Sequence, residues 1–172
     1  AASALAVKSC TGALHIALVA LGIGPGDEVI TTPMTFCSTV HVIEHVGARS
    51  VLVDVEPDTL NLNPALVAEA ITPRTRAIVP VHFAGHPVDM APLIELAKAH
   101  GLSIIEDAAH ALPAAYNGQV IGTIGDLTAF SFYATKNLTT GEGGMLTGSP
   151  ALIERARVLS LHGMSRDAWK RY

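Results

Sequence analysis

Short β-branched runs alternate with segments of helical period along most of this chain, and that alternation restricts the fold more than any other feature. "EVITT" (28–32) and "SVLVDV" (50–55) are bounded apolar runs that suit buried strands, and between them "FCSTVHVIEHVG" (36–47) keeps helical spacing until Gly47 stops it. The pattern continues with a helix over Pro64–Ala70, a strand "RAIVPVH" (76–82), a helix "DMAPLIELAKAHG" (89–101) and a strand "LSIIED" (102–107). Upstream, an "ALAVK" strand leads into a helix that places Leu14, Ala17, Leu18 and Leu21 on one face and ends at Gly22. Downstream, "QVIG", "LTAFSFY" and "GGMLTG" predict strands, and "PALIERARVLSLHG" predicts a closing helix. Repeated βα units imply an α/β fold with a mostly parallel central sheet and helices on both faces. With 172 residues, 49% of them hydrophobic, one sizeable core is expected and disorder is not.

In such folds ligands collect where strands end and loops turn towards helices. Three places meet that condition. "SCTGAL" (9–14) runs from a strand into a helix start, where free backbone N–H groups and the helix dipole favour an anion such as phosphate; the competing reading is that Ser9 or Thr11 only caps the helix. Neither this stretch nor "GIGPGD" carries a Walker lysine or a GxGxxG fingerprint, so a nucleotide P-loop is not expected. Asp107 ends an apolar strand, and its carboxylate calls for a partner: either it caps the next segment, or it pairs with a cation such as a pyridinium nitrogen. Lys136 follows Phe130, Phe132 and Tyr133 and precedes the glycine-rich "NLTTGEGG". A lysine there is either a solvated charge or, where desolvated, an amine able to attack a carbonyl carbon.

Other function classes are disfavoured by composition. A formal net charge of −4 argues against a broad nucleic-acid surface. No apolar run approaches the roughly 20 residues of a membrane helix. The two cysteines, Cys10 and Cys37, are expected to be reduced, in a cytoplasmic protein. The histidines show no HExxH or paired CxxC spacing, so no metal site is expected.

"SCTGAL", "PMTFCST", "DVEPDTLNL", "ITPRTRAIVPVHFAG", "IIEDAAHA" and "FSFYATKNLTTGEGG" occur in the order in which the DegT/DnrJ/EryC1/StrS sugar aminotransferases carry their motifs, and the chain resembles that family over nearly its whole length. The resemblance implies the aspartate-aminotransferase-like fold of type I enzymes dependent on pyridoxal phosphate (PLP). It implies that residues 1–172 are the PLP-binding large domain of a longer protein, whose smaller C-terminal domain and further N-terminal residues lie outside this stretch. By the same resemblance Lys136 would form the Schiff base with PLP and Asp107 would pair with the ring nitrogen. His110 would lie near the ring hydroxyl, Phe36 would stack on the ring, and Thr11, Gly12 and Ser131 would hold the phosphate. Phe36 as a core residue and His110 as a local hydrogen-bond partner are the alternatives for those two positions.

The activity implied is transfer of an amino group from an amino acid, glutamate by resemblance, to a nucleotide-linked keto-sugar, in a homodimer that shares its active sites. "EDAAHA", "KNLTTGEGG" and the final "SRDAWKRY" (165–172) are most similar to members that aminate a UDP-linked 4-keto-pentose for lipid A, a lipopolysaccharide modification. Two alternatives remain at this point: a PLP-dependent sugar dehydratase, whose relatives lack the Schiff-base lysine, and a non-catalytic regulatory or binding protein that retains the fold.

Overall fold

A computed structural model describes residues 1–164, so the "SRDAWKRY" segment lies outside the described residues. Nine strands and five α-helices are described, with a short 3-10 turn at Phe83–Gly85: β1 (Ser3–Val7), α1 (Cys10–Leu21), β2 (Glu28–Thr31), α2 (Ser38–His45), β3 (Arg49–Leu52), α3 (Pro64–Ala70), β4 (Thr75–Ile78), α4 (Met90–His100), β5 (Ser103–Asp107), β6 (Ala115–Tyr116), β7 (Gln119–Val120), β8 (Leu127–Ser131), β9 (Gly144–Gly148) and α5 (Pro150–Ser160). Seven strands form one sheet in the order β1-β9-β8-β5-β4-β2-β3. β9 runs antiparallel to both neighbours, and the other pairings are parallel, as the βα alternation requires.

Both faces of the sheet are covered, and the strand period of two sorts the side chains between them. Val29, Ala77, Ile105, Leu127 and Leu146 join Leu14 and Leu18 of α1, Ile43 of α2 and Ile153 of α5 in one core. Their sequence neighbours Ile30, Ile78 and Ile104 point the other way, into a second core with Val67 of α3 and Met90, Leu93 and Ala97 of α4. Fully burying one such Leu or Ile contributes about 1.5–3 kcal/mol, so each helix is held mainly by its apolar face. The helix ends follow local chemistry. Ser9, Asn63 and Ser149 cap α1, α3 and α5 through their side chains, and Gly22 and Gly101 end α1 and α4 in the left-handed conformation.

Several boundaries differ from the sequence expectation. β4 stops at Ile78, because Pro80 has no N–H to continue a ladder; beyond it only Val81 bridges to Asp107. β3 ends at Leu52, leaving Val55 in an isolated bridge with Leu62. α2 begins at Ser38, so Phe36 and Cys37 belong to the preceding loop. "QVIG" contributes only Gln119–Val120, the second strand of a hairpin with β6. Its two-residue turn, Asn117–Gly118, has φ of 48° and 79°, the turn whose twist suits tight hairpins.

Candidate active site

β5 delivers two adjacent carboxylates to opposite faces of the sheet. Asp107, the last residue of the strand, is 4% exposed and lines a crevice of about 640 Å³ at the C-terminal edge of the sheet. Its Oδ2 accepts a 2.7 Å hydrogen bond from the Thr39 hydroxyl, and its Oδ1 accepts from the Ala109 N–H at 3.2 Å. The Cys10 thiol makes a longer 3.8 Å contact to Oδ1. Burial and then the Asp107 charge push that thiol well above its ordinary range, which keeps it protonated and a poor nucleophile. No helix starts at residue 107, so Asp107 caps none; its local bond to Ala109 leaves the carboxylate facing the crevice.

Lys136 reaches the same crevice from the loop after β8. That loop is a compact turn system: Lys136 N–H donates to the Tyr133 carbonyl, Thr140 N–H to the Phe132 carbonyl and Phe132 N–H to the Gly143 carbonyl. The lysine is half-buried, and its Nζ lies 2.6 Å from His110 Nε2. Since the ammonium can only donate, His110 accepts at Nε2 as a neutral ring. Burial, then the nearby Lys136 charge, holds the His110 imidazole below its ordinary range, with Asp107 partly opposing. The glycines after Lys136 do not all face the crevice. Gly143 lines it, but a Cβ on Gly144 would stand 2.4 Å from the Ser9 carbonyl carbon. Gly144 therefore lets β9 approach the start of α1, a role in chain packing.

The start of α1 forms the third wall. Ser9 Oγ accepts from the Gly12 N–H at 3.0 Å, so the capping alternative holds for Ser9. The N–H groups of Cys10 and Thr11 have no partner among the described residues, and both residues line the crevice. Capping by Ser9 therefore leaves two N–H groups on the same helix end open towards the crevice, where an anion could be received. Of the seven residues singled out by sequence, Thr11, Phe36, Asp107, His110, Ser131 and Lys136 line the crevice together. Gly12 lies one position behind, its N–H engaged by Ser9. Phe36 is 76% exposed and stands at the crevice instead of in the core.

This donor set fits PLP. A buried carboxylate, a primary amine, two unpaired N–H groups with the hydroxyl-bearing residues Thr11 and Ser131, and an exposed aromatic ring border one space of adequate size. Sequence reasoning missed Thr35 and Thr39, whose hydroxyls lie 2.8 Å apart. Their four-residue spacing in "TFCST" was the available signal. It also missed His82, buried beneath the crevice, whose Nδ1 accepts from the Val88 N–H at 3.1 Å and whose Nε2 faces Glu106 Oε2 at 3.0 Å.

Comparison with known proteins agrees with this chemistry. The chain is 58% identical over 170 residues to the spore coat polysaccharide biosynthesis protein SpsC of Bacillus subtilis, covering 98% of this chain and 44% of SpsC. The aminotransferase from Psychrobacter cryohalolentis superposes with a TM-score of 0.94 at 42% identity, over 98% of this chain and 43% of that one. DesV of S. venezuelae superposes at 0.90 with 51% identity, over 95% of this chain and 44% of DesV. The chain thus spans less than half the length of these relatives. Residues 1–172 match the DegT/DnrJ/EryC1/StrS aminotransferase family throughout, and the chain belongs to that family, whose members are PLP-dependent enzymes.

Proposed function

We propose that residues 1–172 form the cofactor-binding large domain of a PLP-dependent aminotransferase that moves an amino group from an amino acid, glutamate in our reading, to a nucleotide-linked keto-sugar. The observation that carries this reading is the convergence of Lys136, Asp107 and the open N–H groups of α1 on one crevice. Bound PLP supplies an aldehyde carbon for amine capture and a protonated ring that takes up the electron pair left when a C–H bond beside nitrogen is broken. Lys136 would hold that aldehyde through its Nζ amine, and the same nitrogen is a group in the crevice able to accept and donate a proton. Neutral His110, 2.6 Å from Nζ, holds the lysine in the crevice. Asp107 would balance the charge on the ring nitrogen, Phe36 would cover a ring face, and Thr11, Ser131 and the α1 N-terminus would take the phosphate.

The occupant's remaining charge needs further cations. Among the described residues, Lys136 is the only Lys or Arg that lines the crevice, while Phe36, Tyr133 and Met34 leave exposed apolar surface beside it. Both features favour a homodimer in which a second copy completes the site. The dehydratase alternative requires the Schiff-base lysine to be missing, and a lysine occupies that place here.

Incubation of the full-length protein with PLP followed by borohydride reduction tests the reading. A reduced adduct on Lys136, absent in Lys136→Ala, is expected; unmodified wild-type protein would favour the non-catalytic alternative and sink the proposal. Assay of the same protein with glutamate and a panel of nucleotide-linked keto-sugars then identifies the acceptor.

A further inference from the structure

The Asp107 carboxylate is anchored from behind the crevice by a threonine that does not itself line it. Thr39 is 1% exposed, near the start of α2, and its hydroxyl meets Asp107 Oδ2 at 2.7 Å. A second hydroxyl, that of Thr35, lies 2.8 Å from Thr39 Oγ1, and Thr35 does line the crevice.

The direction of this chain follows from counting protons. An ionised carboxylate only accepts, so the single Thr39 hydroxyl proton goes to Asp107. Thr39 must then accept from Thr35, and the Thr35 oxygen is left to present its free lone pair, an acceptor, towards the crevice. The same segment ties in the aromatic wall, since the Thr39 N–H donates to the Phe36 carbonyl at 3.1 Å. One residue therefore joins the loop bearing Phe36 to the carboxylate at the end of β5.

We infer that Thr39 is a positioning residue for the cofactor ring: through Thr35→Thr39→Asp107 it fixes the orientation of the carboxylate and couples it to the loop that bears Phe36. This rests on the proposed PLP site. A hydrogen bond to a charged group is stronger than a neutral one, and in a buried place its loss is not made good by water. Valine matches threonine in shape without the hydroxyl, whereas serine keeps the donor.

The test uses the full-length protein titrated with PLP. Thr39→Val is expected to weaken PLP binding about 10-fold and to move the pH midpoint of the bound cofactor's visible absorbance, while the borohydride adduct on Lys136 still forms at saturating PLP. Thr39→Ser is expected to restore affinity and midpoint. Thr35→Val, which cuts the next link and leaves the bond to Asp107 in place, should move the midpoint the same way by less, and it supplies the reading if Thr39→Val does not fold. Wild-type affinity and midpoint in Thr39→Val, or in Thr35→Val when the first variant is unfolded, overturn the inference while leaving the PLP site standing. Wild-type protein that takes up no PLP overturns the site and the inference together.

Discussion

Glu106 and Asp107 are neighbours in sequence, both carboxylates and both almost completely buried, yet they occupy opposite kinds of environment. Glu106 is closed. Its Oε1 accepts from the Gly125 N–H at 2.8 Å and the Thr128 hydroxyl at 2.7 Å, and its Oε2 takes the Nε2–H of His82 at 3.0 Å. The His82 tautomer is set by the Val88 N–H, which donates to Nδ1 and so leaves the ring proton on Nε2. Burial is the largest single influence on Glu106 and opposes its charge, but these hydrogen bonds together outweigh it and hold the carboxyl below its ordinary range. Asp107 has protein donors on its inner side and the crevice on its outer side. The lesson is that burial alone does not distinguish a structural acid from a functional one. What distinguishes them is whether the protein itself supplies every partner.

The sharpest break of this comparison is Glu106→Ala. It leaves the His82 N–H, the Thr128 hydroxyl and the Gly125 N–H unpaired in the core, and a loss of about 3 kcal/mol of stability is expected from urea unfolding. Next in size is Gly144→Ala, which forces β9 away from Ser9 and Cys10 at an expected cost of about 1–3 kcal/mol. Because that shift disturbs the start of α1, the variant should also need more PLP for saturation. Third, the depressed Glu106 carboxyl contributes stability that is complete above its unfolded value of about 4.3 and is lost as pH falls through the lower folded value. The acid limb of a stability-versus-pH curve should be shallower in Glu106→Gln than in wild type. An equal slope would mean that the pair does not hold the charge we assign. Smallest in stability is Asp107→Asn, expected within about 1 kcal/mol of wild type because the amide oxygen still accepts from Thr39. It should nevertheless lose most PLP affinity, and a destabilisation as large as that of Glu106→Ala would erase the distinction between the two acids.

Much of this was legible in the sequence because it depends on local chemistry. Ser9, Gly22, Asn63 and Gly101 mark helix ends through their own side chains or backbone freedom, and the α3 bounds follow from Pro64 and the apolar spacing after it. Lys136 and Asp107 stood out by lying where βα loops open. The Asn117–Gly118 hairpin was overlooked although its turn residues are typical, because two-residue strands carry too little alternation to register. The partners of Thr39 and His82 were invisible for a different reason. Thr39 is 68 residues from the carboxylate it serves, and His82 is 24 residues from its own. Nothing in either local stretch specifies those pairings.

The sequence by itself determined the alternation of strands and helices, the apolar faces that pack them and the residue types able to do the chemistry, since these depend on spacing and side-chain identity. Only the tertiary structure decided that Glu106 closes on His82 while its neighbour Asp107 opens to the crevice, and that Gly144 serves the chain instead of a ligand. Strand pairing brings residues together across long separations, and whether a buried charge keeps an unfilled side depends on which of them arrive.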